Sequence, residues 1–245
     1  MKRTTMRRLI PLSILTLTLG VPKAVIGEYI TIDSVDGTFN LEAGAIDGIL
    51  EGDDHTLTFG ERDVIAAALQ TDGVVTEGRL SFLLASTDAG LSFIGLFGGT
   101  TSNDPSGSTP DQFIGVSATT GADTDWFAGG DTGSDIDWYD MGNDTQLVTA
   151  FLTWEEEQTS AAFAWGNVPQ APTGTTNLYD VDFTEYAPEP IQFITYENDR
   201  WSIAEEASFS VLGQYAFSHQ FVPAPGAIAL LAIAGLGAGK RRRRT

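Results

Sequence analysis

The sequence contains no cysteine, which excludes disulfides, thiol catalysis and thiolate-held metals for the whole chain. Histidine is nearly absent as well. His55 and His219 are the two present, far apart, with no second His at ligand spacing and no nucleophile pattern nearby. Zinc and serine-hydrolase chemistry are left without residues to carry them, and no phosphate loop or dinucleotide fingerprint appears. Basic side chains are missing from the middle of the chain. Glu28 to Glu206 holds all 33 acidic residues and only Arg62, Arg79 and Arg200, so three minus 33 gives a net charge of −30 there. Such a stretch repels nucleic acid and anionic lipid, and both are excluded as its partners.

What is present points to β structure. The 27 glycines, with 14 Phe, 6 Tyr and 5 Trp, suit a turn-rich β protein with an ordinary core better than a helical one. At 245 residues the chain can build one sizeable domain without covalent staples.

The ends read as addresses. Residues 1–27 have the form of a secretory signal: Lys2, Arg3, Arg7 and Arg8 are basic, Leu9 to Gly20 is apolar, and Val25-Ile26-Gly27 precedes a cut that leaves Glu28 first. At the other end, Val222-Pro223-Ala224-Pro225-Gly226 is a stiff, helix-refusing lead-in. An uncharged run from Ala227 to Gly239 follows, closed by Lys240, Arg241, Arg242, Arg243 and Arg244. A helix from Gly226 to Gly239 would be about 21 Å long, against roughly 30 Å of hydrocarbon. The basic block holds its own end on the cytoplasmic side. A short span with a positive stop suits transient insertion in the membrane.

These three ordered parts resemble the PEP-CTERM sorting signal of Gram-negative envelopes. Pro223 and Pro225 match the motif's prolines, Ala227 to Ala238 its apolar helix, and Arg241 to Arg244 its basic end, while Ala224 stands where the family has Glu. The resemblance implies export through the secretion machinery, processing by a membrane-embedded exosortase, and delivery to the cell surface or an extracellular polysaccharide matrix. It covers the tail alone. A literal Pro188-Glu189-Pro190 lies upstream, but mixed polar sequence follows it, so it reads as a loop.

Between the ends, period-two patterns and turn signals recur. Strands are expected at Glu28 to Asp33, Gly37 to Leu41, Leu80 to Ser86, Leu91 to Phe97, Gln112 to Ala118, Gln146 to Trp154 and Ser160 to Trp165. Leu178 to Tyr186, Ile191 to Glu197, Arg200 to Ala204 and Ser208 to Phe221 complete the set. Thr87 to Gly90 and Asn198-Asp199 read as tight turns. The one helix expected is Asp63 to Gln70, and Thr100 to Pro110 and Pro169 to Thr176 read as long loops. The expectation is an all-β protein: an antiparallel β-sandwich, jelly-roll-like, over residues 28–221, flanked by the N-terminal signal helix and the short apolar helix of the tail (222–245).

The densest chemistry runs from Asp123 to Asp144. Asp131, Asp135, Asp137, Asp140 and Asp144 on Gly-rich backbone are candidate Ca²⁺ ligands, although the spacing does not fit an EF-type loop. A solvated acidic loop is the default reading, since seven like charges in 22 residues otherwise repel one another. Trp126, Trp138 and Tyr139 are candidate sugar-stacking side chains, set against an ordinary place in the core. Asp135-Ile136-Asp137-Trp138-Tyr139-Asp140 resembles the E-x-D-x-x-E strand of a jelly-roll family of retaining β-glucanases, with Asp for both Glu residues. That resemblance implies Asp135 as nucleophile and Asp140 as acid/base, a pair needing about 5–5.5 Å between carboxyl groups. Each Asp is one methylene short for that gap. The expected function is therefore a non-catalytic surface or matrix structural protein that binds polysaccharide or Ca²⁺, with a secreted glycan-active enzyme as the alternative.

Overall fold

The computed structural model describes residues 28–51, 55–98, 112–130, 135–154, 160–170, 173–182, 190–210 and 212–222. The expected signal helix, the tail from Pro223 onward, the loop at 100–110 and Asp131 lie outside the described residues. The strands are β1 (Tyr29–Ser34), β2 (Gly37–Glu42), β3 (Gly44–Ala45), β4 (Leu80–Thr87), β5 (Gly90–Phe97), β6 (Gln112–Gly121) and β7 (Asp125–Gly129). They continue with β8 (Asp135–Gly142), β9 (Thr145–Trp154), β10 (Ala161–Gly166), β11 (Thr173–Asp182), β12 (Ile191–Glu197), β13 (Arg200–Ala207) and β14 (Tyr215–Val222). One α-helix, α1 (Phe59–Thr71), is among the described residues.

The strands form two sheets of seven. The open sheet has the order β2-β1-β14-β11-β6-β9-β8 and is antiparallel throughout. The central sheet has the order β13-β12-β4-β5-β10-β7, with β3 beside β4. Here the antiparallel expectation needs correcting: β12 and β3 both run parallel to β4. Neither partner is joined to β4 by a short turn, so local sequence could not reveal either direction.

The two sheets face each other across one core. Ile30, Ile32, Val116, Val148 and Phe217 come from the open sheet, and Phe82, Phe93, Phe163, Trp165 and Phe193 from the central one. Edge-to-face aromatic contacts tie the layers, including Phe82 to Phe217 at 5.0 Å and Phe193 to Phe217 at 5.3 Å. A second cluster lies on the other side of the central sheet, where Ile65, Ala66 and Leu69 of α1, with Ile49, Leu50 and Leu57, cover Leu83, Ile94, Leu96 and Ala164. The middle strands of the central sheet, β4, β5 and β10, are thus buried on both faces.

Local signals explain several elements. Thr58 caps α1: its Oγ1 accepts from the Glu61 N–H, and the Glu61 carboxylate accepts from the Thr58 N–H at 2.7 Å. That box starts the helix a turn before the expected Asp63. Arg62, on the buried side of α1, donates to the Ser160 carbonyl and lies 5.5 Å from the centroid of the Phe59 ring. Asn198 and Asp199 both take positive φ in the turn joining β12 to β13, as the sequence led one to expect. The boundaries move elsewhere. Ser210 exchanges backbone hydrogen bonds with Gly213 and Gln214 before β14 begins, and β11 starts at Thr173, inside the expected loop.

The segment expected as an acidic loop contains two strands, β7 and β8. They lie in different sheets.

Candidate functional site

Because α1 and its flanking segment cover only the central sheet, the far face of the open sheet has no covering layer among the described residues. Strand pairing sets side chains on that face in rows. One row crosses all seven strands: Thr38, Asp33, Ser218, Thr175, Thr119, Leu147 and Tyr139. Thr38 donates to Asp33 at 3.0 Å, and the Thr119 and Thr175 hydroxyls meet at 2.6 Å. Neighbouring rows bring Ser117, Thr149 and Asp137 together, then Tyr179, Phe151 and Asp135, with Gly115 between the two rings. Gly115 is required there because the Tyr179 ring occupies the space a Cβ would take. No strand of the open sheet carries Lys or Arg. The face is a plane of hydroxyls and amides that gains aromatic rings and carboxylates toward β8.

Two depressions open in the same sheet. One of about 530 Å³ is lined by residues that include Thr119, Thr175, Ser218, Gln220 and Asp144; a smaller one of about 330 Å³ includes Asp33, Asn177 and Ala216. His219 contributes to the lining of the first, but its ring turns inward over Gly174, 5.1 Å from the Phe93 ring. Both ring nitrogens are buried without a hydrogen-bond partner. Burial lowers its pKa to about 4, so the imidazole is neutral at neutral pH.

The second feature is β8, at the edge of the open sheet. Seven of its eight residues are exposed, and Trp138, Tyr139 and Met141 are 51%, 47% and 57% accessible, beside Phe151 of β9 at 37%. Most other edges are blunted. Residues 55–57 hydrogen-bond along β7, the Asp72 carboxylate accepts from the Trp201 N–H of β13, and Thr195 accepts from the Glu42 N–H of β2. Among the described residues β8 pairs with β9 alone.

This geometry separates the residues the sequence grouped. Tyr139 and Asp137 lie on the open face, and the charge of Asp137 holds the phenol above its ordinary value, with Asp135 adding to it. Trp138 is on the opposite side of β8. There its indole N–H donates to Gln146 at 2.7 Å, and the buried Gln146 amide donates in turn to the Gly121 and Thr124 carbonyls. Trp126 belongs to β7 in the central sheet, half-buried against the core, with the His55 ring stacked on it at 4.5 Å. Trp126, Trp138 and Tyr139 therefore do not form one stacking platform. Phe151 and Tyr179, which sequence reasoning passed over, are the rings that share a face with Tyr139. The alternation in Leu147-Val148-Thr149-Ala150-Phe151 was the available signal.

The candidate metal ligands also separate. Asp135 and Asp137 are on the open face, Asp140 is on the other side and accepts from the Gly142 N–H at 2.8 Å, and Asp144 sits in the following turn at positive φ. No group of three or more metal-ligating side chains occurs among the described residues. The β-glucanase pattern fares no better. Register places Asp135 opposite Phe151 and Asp140 opposite Gln146 with no shift between them, which sends the two carboxylates to opposite faces of one strand. A pair so placed cannot flank one glycosidic bond.

Comparison with protein families, with curated proteins and with solved structures gives no match. The likeness of the tail to a sorting signal rests on its own residues.

Proposed function

We propose that the chain is exported, processed at its C-terminal motif by an exosortase, and held at the surface or in the extracellular matrix of a Gram-negative-type cell. There its β domain serves as a structural protein that holds neutral polysaccharide on the open sheet. In this reading residues 28–221 form one jelly-roll-like domain, an architecture on which lectin faces are built. The observation that carries the domain's part is the face left uncovered among the described residues, with rows of Thr, Ser and Asn running out to Tyr139, Phe151 and Tyr179. Hydroxyls and amides can exchange hydrogen bonds with sugar hydroxyls, and exposed rings can stack on sugar faces. The net charge of −30 across residues 28–206 disfavours anionic polymers, so a neutral glycan is the ligand class proposed.

The address rests on the ordered tail, Val222 to Arg244. Removing 222–245 should shift the protein from the envelope fraction to the medium or periplasm; an unchanged distribution would sink that half. For the domain, retention on immobilised neutral polysaccharide should fall about tenfold, or about 1.4 kcal/mol, in Tyr139→Ala combined with Phe151→Ala. Val64→Ala, on the exposed side of α1, should bind as the parent does. A parent protein that is not retained overturns the sugar reading.

A further inference from the structure

The two depressions of the open sheet meet. Thr175 and Ser218 line both, so the cavities of about 530 Å³ and about 330 Å³ form one groove. The larger part adds Thr119 of β6 and Thr145 of β9, and the smaller part adds Asp33 of β1. The groove therefore crosses five neighbouring strands, in the order β1, β14, β11, β6 and β9. Positions with little bulk contribute to it, Ala216 in the smaller part and Gly121 in the larger. Its middle is open to solvent, where Thr173, Thr175, Asn177, Ala216 and Gln220 are each exposed. Hydroxyls and an amide line it, with the carboxylates of Asp33 and Asp144 at its two ends. We infer that the groove seats a single extended polysaccharide chain laid across the strands, about one ring to each strand, of the neutral β-1,4-linked class.

This assignment rests on the sugar-binding reading of the open face and narrows it to one linkage geometry. Neighbouring strands lie about 4.8 Å apart, so four gaps give a groove about 19 Å long. The step from strand to strand is close to the length of one pyranose ring, from the oxygen on C1 to the oxygen on C4. Equatorial bonds at both positions keep successive rings in line, and each ring then meets the next strand. An axial bond at C1 bends the chain into a coil, which takes successive rings off the groove. Every strand offers a polar group along the way, and hydroxyls both donate to and accept from sugar hydroxyls. The terminal carboxylates accept only, and no Lys or Arg stands in the sheet to balance an acidic sugar. Sheet twist sets a further limit. Neighbouring strands turn by about 20–25°, so the floor rotates along its length. A single chain can follow that rotation, whereas a rigid crystalline face cannot touch all five strands. A chain longer than the groove runs on over β9 toward β8, where Tyr139 stands in the same row as Thr119 and Thr175.

Calorimetric titration of the chain as recovered from its host tests this with soluble β-1,4-linked gluco- and manno-oligosaccharides of two to six rings. In at least one series, affinity should rise tenfold or more from two rings to five and level off there. Maltohexaose, its α-linked counterpart, should bind at least tenfold more weakly than the β-linked hexamer. Ala216→Leu fills the smaller part of the groove and should end the rise at about three rings. Thr175→Val, nearly the same shape, removes the hydroxyl where the two parts meet and should weaken the pentamer several-fold, which keeps the test open if Ala216→Leu disturbs the fold. Equal affinity for the dimer and the hexamer overturns the assignment, as does maltohexaose binding as tightly as the β-linked hexamer. Either result leaves the sugar-binding reading standing. Retention on some other neutral polysaccharide, with no β-1,4-linked oligomer bound, also overturns the assignment alone. Retention on no polysaccharide removes the sugar-binding reading and the assignment with it.

Discussion

The two sheets have equal strand number and different solvent. In the central sheet β4, β5 and β10 read almost entirely buried, through Leu80 to Ala85, Leu91 to Phe97 and Ala161 to Gly166. In the open sheet β14 alternates, with Tyr215, Phe217, His219 and Phe221 inward and the residues between them turned toward water. A strand covered on both faces must be apolar at every position, whereas a strand with one wet face needs only every second. The difference shows where the helix lies. α1 has to sit on the sheet whose strands have no polar face.

Unequal coverage predicts unequal costs of substitution. The largest effect should come from breaking the second core: Leu83→Ala, beneath α1, should lose about 2–5 kcal/mol of unfolding free energy in urea titrations. Thr175→Ala, on the open face, should change it by less than about 0.5 kcal/mol. Equal losses would mean that the open face is covered after all.

The next effect belongs to pH. His219 is held neutral in the folded protein down to a pKa of about 4, against 6.5 for the unperturbed side chain. Between those values the unfolded chain binds the extra proton, so stability falls as pH is lowered through that window. The loss attributable to this residue is roughly 3 kcal/mol. Thermal melts at pH 7 and pH 4 should show His219→Leu losing less stability than the parent, and equal losses would refute the assignment.

The smallest effect sharpens the comparison from the helix side. Thr58→Ala removes the cap of α1 and should cost about 1 kcal/mol. Hydrogen exchange should quicken in α1 while the amides of β9 and β11 stay protected, because the open sheet does not depend on the helix.

Much of the fold was legible in short stretches. The hairpin at Thr87 to Gly90, the Asn198-Asp199 turn and the buried runs of β4, β5 and β10 depend on residues close in sequence. The candidate site was harder to read. β8 looked like a solvated acidic loop because its apolar positions are interrupted by Asp, and an edge strand exposed on nearly every residue needs little burial to persist. Its three aromatic candidates looked like one cluster because they are near in sequence. An odd spacing along one strand puts Trp138 and Tyr139 on opposite faces, and a change of sheet carries Trp126 away.

By itself the sequence determined the charge of the chain, the β periodicity, the tight turns and the form of its two ends, since each of these is a property of neighbouring residues. Only the tertiary structure decided that β12 and β3 run parallel to β4, that α1 packs on one of the two sheets, and that Tyr139, Phe151 and Tyr179 share the face that no described residue covers. The physical reason is that pairing and coverage join segments tens of residues apart, and the partner that completes each surface cannot be read from the surface alone.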